Sequence, residues 1–100
     1  MTTAAAIYAL PYEHVAASQT EQVLGATGAK GDYLHRLVIT VGTAATSTVT
    51  IFDGAFSHIL VRPNTAIGVY SIEMNTLSQS GAWKISTAAG VEVLAVGNFT

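Results

Sequence analysis

Cysteine is absent from this 100-residue chain. Disulfides and thiolate chemistry are thereby excluded, while the redox compartment stays open. Charge is scarce as well: Asp, Glu, Lys and Arg make up 10% of the residues, where an average soluble domain has roughly 25%. Lys30, Arg36, Arg62 and Lys84 are the fixed positive groups and lie scattered along the sequence. Without a basic patch interleaved with aromatics, direct nucleic-acid binding is not expected. No apolar run approaches the length of a membrane span, and Met1 to Ala6 lacks the positive region of a secretory signal. The expectation is a cytosolic product with no membrane partner.

What is present is Ala, Thr, Val and Gly in quantity, a composition of small and β-branched residues that suits a packed β protein. With so little charge, much of the surface is expected to serve contacts with other chains. The organising stretch runs from Tyr33 to Val61. Leu37, Ile39 and Val41 alternate on one side of an extended segment, with Leu34, Val38 and Thr40 on the other. Thr48 to Ile51 is β-branched throughout, and Asp53-Gly54 supplies a favoured two-residue hairpin turn. Counting across that turn sets Ile51 opposite Phe56 and Val49 opposite His58, with Leu60 on the same face and Val61 on the reverse one. One face is apolar enough for a core and the other is only partly polar, so both are expected to be covered, one by the molecule's own second sheet and the other by a neighbour.

Before this stretch, Ile7-Tyr8-Ala9-Leu10 is apolar, and Glu13 to Gln22 reads either as a short helical turn or as a leader ending in an edge strand near Gln22 to Leu24. Residues 1–24 are therefore expected to be an N-terminal arm or edge segment, and residues 25–100 a β-sandwich domain. Gly25, Gly28 and Gly31 mark a turned loop and lack the spacing of a phosphate-binding one. After Val61, Arg62-Pro63-Asn64-Thr65 is a turn. Ile67 to Met74 is extended, with Gly68, Tyr70, Ile72 and Met74 on one face, and Asn75 to Gly81 is a polar loop. Ala89-Gly90 predicts a second hairpin, pairing Trp83 with Val96, Ile85 with Leu94 and Thr87 with Glu92. About six strong strands and one or two weak ones give an all-β chain: a small antiparallel β-sandwich, with a jelly-roll arrangement open.

No chemistry is apparent. His14, His35 and His58 follow no metal-ligand spacing, the acidic residues form no evident pair, and Ser78 and Ser80 lack a nucleophile elbow. Neither a catalytic, a cofactor-binding nor a metal site is expected. Asp53 is assigned to its turn, Asp32 to a turn with His35 beside it, and Trp83 to the core. Asn98-Phe99-Thr100 matches a glycosylation sequon by letters alone. The residues expected to make assembly contacts are Ile7, Tyr8 and Leu10 as anchors of the arm, together with His35, His58 and Tyr70.

Asp32-Tyr33-Leu34 through Val41-Gly42-Thr43, Val49 through Gly54, Ile67 through Ile72 and Ser80 through Ile85 resemble small structural proteins of tailed-bacteriophage virions, over about two-thirds of the chain. The resemblance implies a noncatalytic head decoration or cement protein on the outer capsid surface. Its partners would be the major capsid protein and its own copies, a trimer being favoured. The alternative is a carbohydrate- or receptor-binding module of a phage tail or fibre, which calls for a concave patch of exposed aromatics near Trp83 or Tyr70.

Overall fold

The computed structural model describes residues 10–43 and 47–100. Eight strands follow in order: β1 Tyr12–Val15, β2 Gln22–Val23, β3 Tyr33–Val41, β4 Val49–Asp53, β5 Phe56–Val61, β6 Gly68–Leu77, β7 Trp83–Ser86 and β8 Val91–Asn98. They form two four-stranded antiparallel sheets, ordered β1-β8-β3-β6 and β2-β7-β4-β5. The pairing is nested: first strand with eighth, second with seventh, third with sixth, fourth with fifth. One long hairpin has in effect been wound up, which is jelly-roll topology.

The core lies between the sheets. Leu37, Ile39 and Val41 of β3 meet Val91, Val93 and Ala95 of β8 on one inner face, while Val49, Ile51, Trp83 and Ile85 line the other; all are buried. Each fully buried Val, Leu or Ile side chain contributes about 1.5–3 kcal/mol relative to exposure, and the alternation of buried and exposed residues along β8 follows directly from a strand's two-residue period.

Four local readings are corrected. Glu13 to Gln22 contains no helix: Tyr12–Val15 pairs with β8, and Gln22–Val23 pairs with β7, so both are edge strands. Val15 and Leu24 are fully buried in the core. Leu34 also faces the core, because a β-bulge between Leu34 and Arg36 inserts one extra residue and reverses the alternation. Ala89-Gly90 does not close a hairpin, because β7 and β8 belong to different sheets. A two-residue turn there would set odd-numbered residues opposite even-numbered ones. The fold instead buries odd-numbered residues of both strands, Trp83 and Ile85 against Val91, Val93 and Ala95, facing one another across the sandwich.

The fourth correction concerns the central hairpin. Asp53 pairs with Phe56 and Ile51 with His58, so the two turn residues are Gly54 and Ala55. Gly54 has φ +58° while Ala55 has no positive φ, the signs of a turn with glycine in its first central position. The register thus moves by two residues and keeps the expected faces near the turn. Farther along, a bulge between Val49 and Thr50 brings Val61 opposite Val49 and buries it.

Candidate functional site on the open flank

The two flanks of the sandwich differ. At one, β1 and β2 are the edges, and side chains tie them down: Glu13 accepts from Gln22 Nε2 at 2.8 Å and from the Gly25 amide at 2.6 Å, while His14 meets Glu92 on β8 at 2.6 Å. Lys84 donates to Glu21 at 3.3 Å beside β2. At the other flank, β5 and β6 are the edges, and among the described residues neither pairs with a further strand. Of the large apolar residues exposed among those described, Phe56, Ile59, Ile67, Val69, Tyr70 and Leu77 lie on or beside these two strands; Tyr12 alone is elsewhere. Charge does not guard this edge, since Glu73 is the single charged residue of β6 and β5 carries no Asp, Glu, Lys or Arg.

Between β5 and β6 the sandwich opens into a cleft of about 530 Å³. Ile51, Met74 and Trp83 supply its apolar lining, Phe56, His58 and Thr76 its sides, and Asp53, Gln79 and Ser80 its rim. Phe56 and His58 share the inner face of β5 with the buried Ile51, as their register to β4 requires. Nonetheless Phe56 is 65% exposed and His58 is exposed too. Residues that point inward and still meet water mark a stretch of core without a cover.

The rim is held rigidly. Asp53 accepts from the amides of Gln79 at 3.1 Å and Ser80 at 3.0 Å, and the Gly54 amide donates to the Ala82 carbonyl at 3.2 Å. Partial burial pushes the Asp53 carboxyl up, but the amides of Ser80, Gln79 and Gly81, with nearby His58, outweigh it and hold the group below its ordinary value. The other end of the same loop is tied to Asp32: Ser78 N donates to the Asp32 carbonyl at 3.0 Å, and Trp83 Nε1 does so at 2.9 Å. The buried Asp32 carboxylate accepts from Ala29 N, Thr100 N and the Thr100 hydroxyl at 3.0–3.1 Å. Asp53 and Asp32 therefore organise the loop from 78 to 82 as well as their own turns. In the sequence, the neighbouring glycines, Gly31 before Asp32 and Gly54 after Asp53, mark turns and carry no sign of the ties to the loop.

The residues expected to make assembly contacts are dispersed. Ile7 and Tyr8 lie outside the described residues, and Leu10 is half-buried just before β1. His35, at the β3 bulge, has Nδ1 3.2 Å from the Tyr33 hydroxyl and is not bonded to Asp32 as expected. His58 lines the cleft. Tyr70 is 38% exposed on β6 and donates its hydroxyl to the Ala66 carbonyl at 2.8 Å. Trp83 is only 5% exposed, so it lies at the bottom of the cleft and offers no open stacking surface. Among the described residues no group of three or more His, Asp or Glu is gathered as metal ligands would be.

Both Asp53 oxygens accept loop amides, and the cleft sets the apolar side chains of Ile51, Met74 and Trp83 with polar rim residues beside a strand edge that no other described strand pairs. No family model matches the chain, and no curated protein or solved structure shows significant similarity to it.

Proposed function

We propose that this chain is a noncatalytic structural protein that joins a larger protein assembly through its β5/β6 flank, decorating and stabilising a phage capsid by binding the major capsid lattice. The supporting observation is the concentration of exposed apolar side chains on one flank whose edges carry a single charge. Isolated soluble proteins blunt such edges with charge, proline or a covering segment, and an uncovered one is a surface awaiting a partner. The capsid is the partner that the resemblance of residues 32–43, 49–54, 67–72 and 80–85 to phage virion proteins implies. Jelly rolls serve in viral capsids and in lectins, so topology by itself does not choose between lattice and glycan.

Repetition strengthens the reading physically. A weak contact made once per chain becomes firm when linked copies present it to a repeating lattice, since every contact after the first forms at high local concentration. Co-sedimentation with capsid shells of the same virus is the test. Binding of the native chain, and at least tenfold weaker binding by an Ile59→Lys, Val69→Lys double variant that stays folded, is the expected result; equal binding by both rejects the assignment of that flank.

A second reading, a carbohydrate- or receptor-binding module of a tail or fibre, draws on exposed Phe56 beside His58, Thr76, Gln79 and Ser80. The burial of Trp83 weighs against it, as the large ring best suited to stack on a sugar is packed away. Binding to a glycan array that disappears in Phe56→Ala would favour this module instead.

A further inference from the structure

We infer that the cleft between β5 and β6 receives Tyr8 of a second copy of the chain, carried on an N-terminal segment laid along the free edge of β6. The inference rests on the assembly reading of this flank and names one of its partners.

The acceptor is defined by what it lacks. Among the described residues β6 pairs with β3 on one side only, and the other side of this ten-residue strand has no ladder partner there. Immediately inside that edge, Phe56 and His58 face inward without cover. An added strand would satisfy the backbone edge and send every second side chain into the cleft. The occupant must then be extended, uncharged and furnished with one sizeable side chain that is apolar in body and polar at its tip, since the buried Ile51 and Trp83 line the cleft with Met74, while polar Thr76 stands at its sides and exposed Gln79 and Ser80 at its rim.

Residues 1–9 and 44–46 are the parts of the chain outside the described structure. The second group is Ala44-Ala45-Thr46, with no large side chain. The first is Met1-Thr2-Thr3-Ala4-Ala5-Ala6-Ile7-Tyr8-Ala9, free of charged side chains, and Tyr8 has the required amphipathic ring. Tyr8 in the cleft would turn Ile7 outward, toward the side of β6 that exposes Val69 and Leu77.

Reach excludes the molecule's own cleft. The chain enters β1 after Leu10, and β1 and β6 are the opposite edges of one sheet. Three strand spacings of roughly 4.8 Å separate them by about 14 Å, and a segment laid along the free edge of β6 lies one spacing farther, at about 19 Å. Tyr8 precedes Leu10 by two residues and is therefore within about 7 Å of it at full extension. A second copy is required, and because donor and acceptor are different surfaces, the contact is head to tail and closes as a ring or propagates.

Complementation between two variants tests this by sedimentation of the purified chain, with no capsid present, so that the outcome is independent of lattice binding. Tyr8→Asp removes the donor, and Thr76→Arg blocks the acceptor. Thermal melts establish that each variant is folded, and should Thr76→Arg fail to fold, His58→Arg takes its place. The native chain is expected to self-associate with rising concentration, and each variant alone to do so at least tenfold more weakly. An equimolar mixture of the two is expected to recover association, because one variant retains an acceptor and the other a donor. A native chain that sediments as a single copy at every concentration, variants that associate like the native chain, or a mixture that recovers nothing would each overturn the proposal.

Discussion

Gly54 and Gly81 touch main chain to main chain: a Cβ on Gly81 would stand 2.8 Å from the Gly54 Cα, and one on Gly54 would stand 2.8 Å from the Gly81 nitrogen. The hairpin between β4 and β5 is thereby pressed against the loop that forms the rim of the cleft. The contact, together with the Asp53 hydrogen bonds, joins two segments more than twenty residues apart in sequence.

Gly54→Val should consequently lower stability twice over. At φ +58° a side chain is strained, at about 1–2 kcal/mol, and the new Cβ would also meet the Ser80 carbonyl carbon at 2.6 Å. A total loss of about 3 kcal/mol in chemical denaturation is expected. Gly81→Ala, which has no positive φ to offend, should lose less. Equal and negligible losses would show that the two main chains are not in contact.

Asp53 gives a pH dependence with a definite sign. Its carboxyl is held below its ordinary value in the folded chain by the loop amides, so it binds protons less readily there than when unfolded. The stability it contributes is fully present above the unfolded value and is lost as pH falls through the lower folded one. The difference in stability between the native chain and Asp53→Asn, measured by denaturation from pH 7 down to pH 2, should shrink in the acid range. A difference that grows toward acid would reverse the sign.

Trp83 is the one tryptophan of the sequence and combines core packing with a hydrogen bond to Asp32 O at 2.9 Å. Trp83→Phe should cost about 2–3 kcal/mol, from lost ring volume and from a buried carbonyl deprived of one donor. In the native chain its fluorescence should be blue-shifted and poorly quenched by acrylamide, as expected of a 5% exposed ring. Emission typical of free indole would contradict that burial.

Much of this fold was legible in the residues. Alternation around Leu37, Ile39 and Val41, and the inward parity of Val49, Ile51 and His58, followed from the two-residue period. The shifted turn was not legible, because Asp-Gly suits the centre of one turn type while glycine alone suits the first central position of another. Nor was the separation of β7 from β8: Leu94 and Val96 are as apolar as Val93 and Ala95, so either parity could close a core. The bulge at His35 left no mark among its neighbours. At the flank, composition led to the expectation of a contact surface, while the place where exposed apolar side chains gather depended on β5 and β6 ending their sheets on the same side, a property of strand order that local patterning does not encode.

Ile59→Lys with Val69→Lys should together cost no more than about 1 kcal/mol, or about 4–8 °C in melting temperature, since both residues are more than half exposed and surface changes of this kind are usually within about 0.5 kcal/mol each. A large fall in melting temperature would mean that these side chains belong to the chain's own core and are not held out for a partner.

The most direct measurement is a reconstruction, at a resolution that places side chains, of a phage particle carrying this chain, the assembly proposed above. It is expected to show the β5/β6 flank covered, with protein density against Ile59 and Val69 and the β1/β2 flank turned away from the lattice. A particle in which that flank faces solvent, with the chain seated through β1 and β2 or missing from the capsid, would contradict the proposed docking.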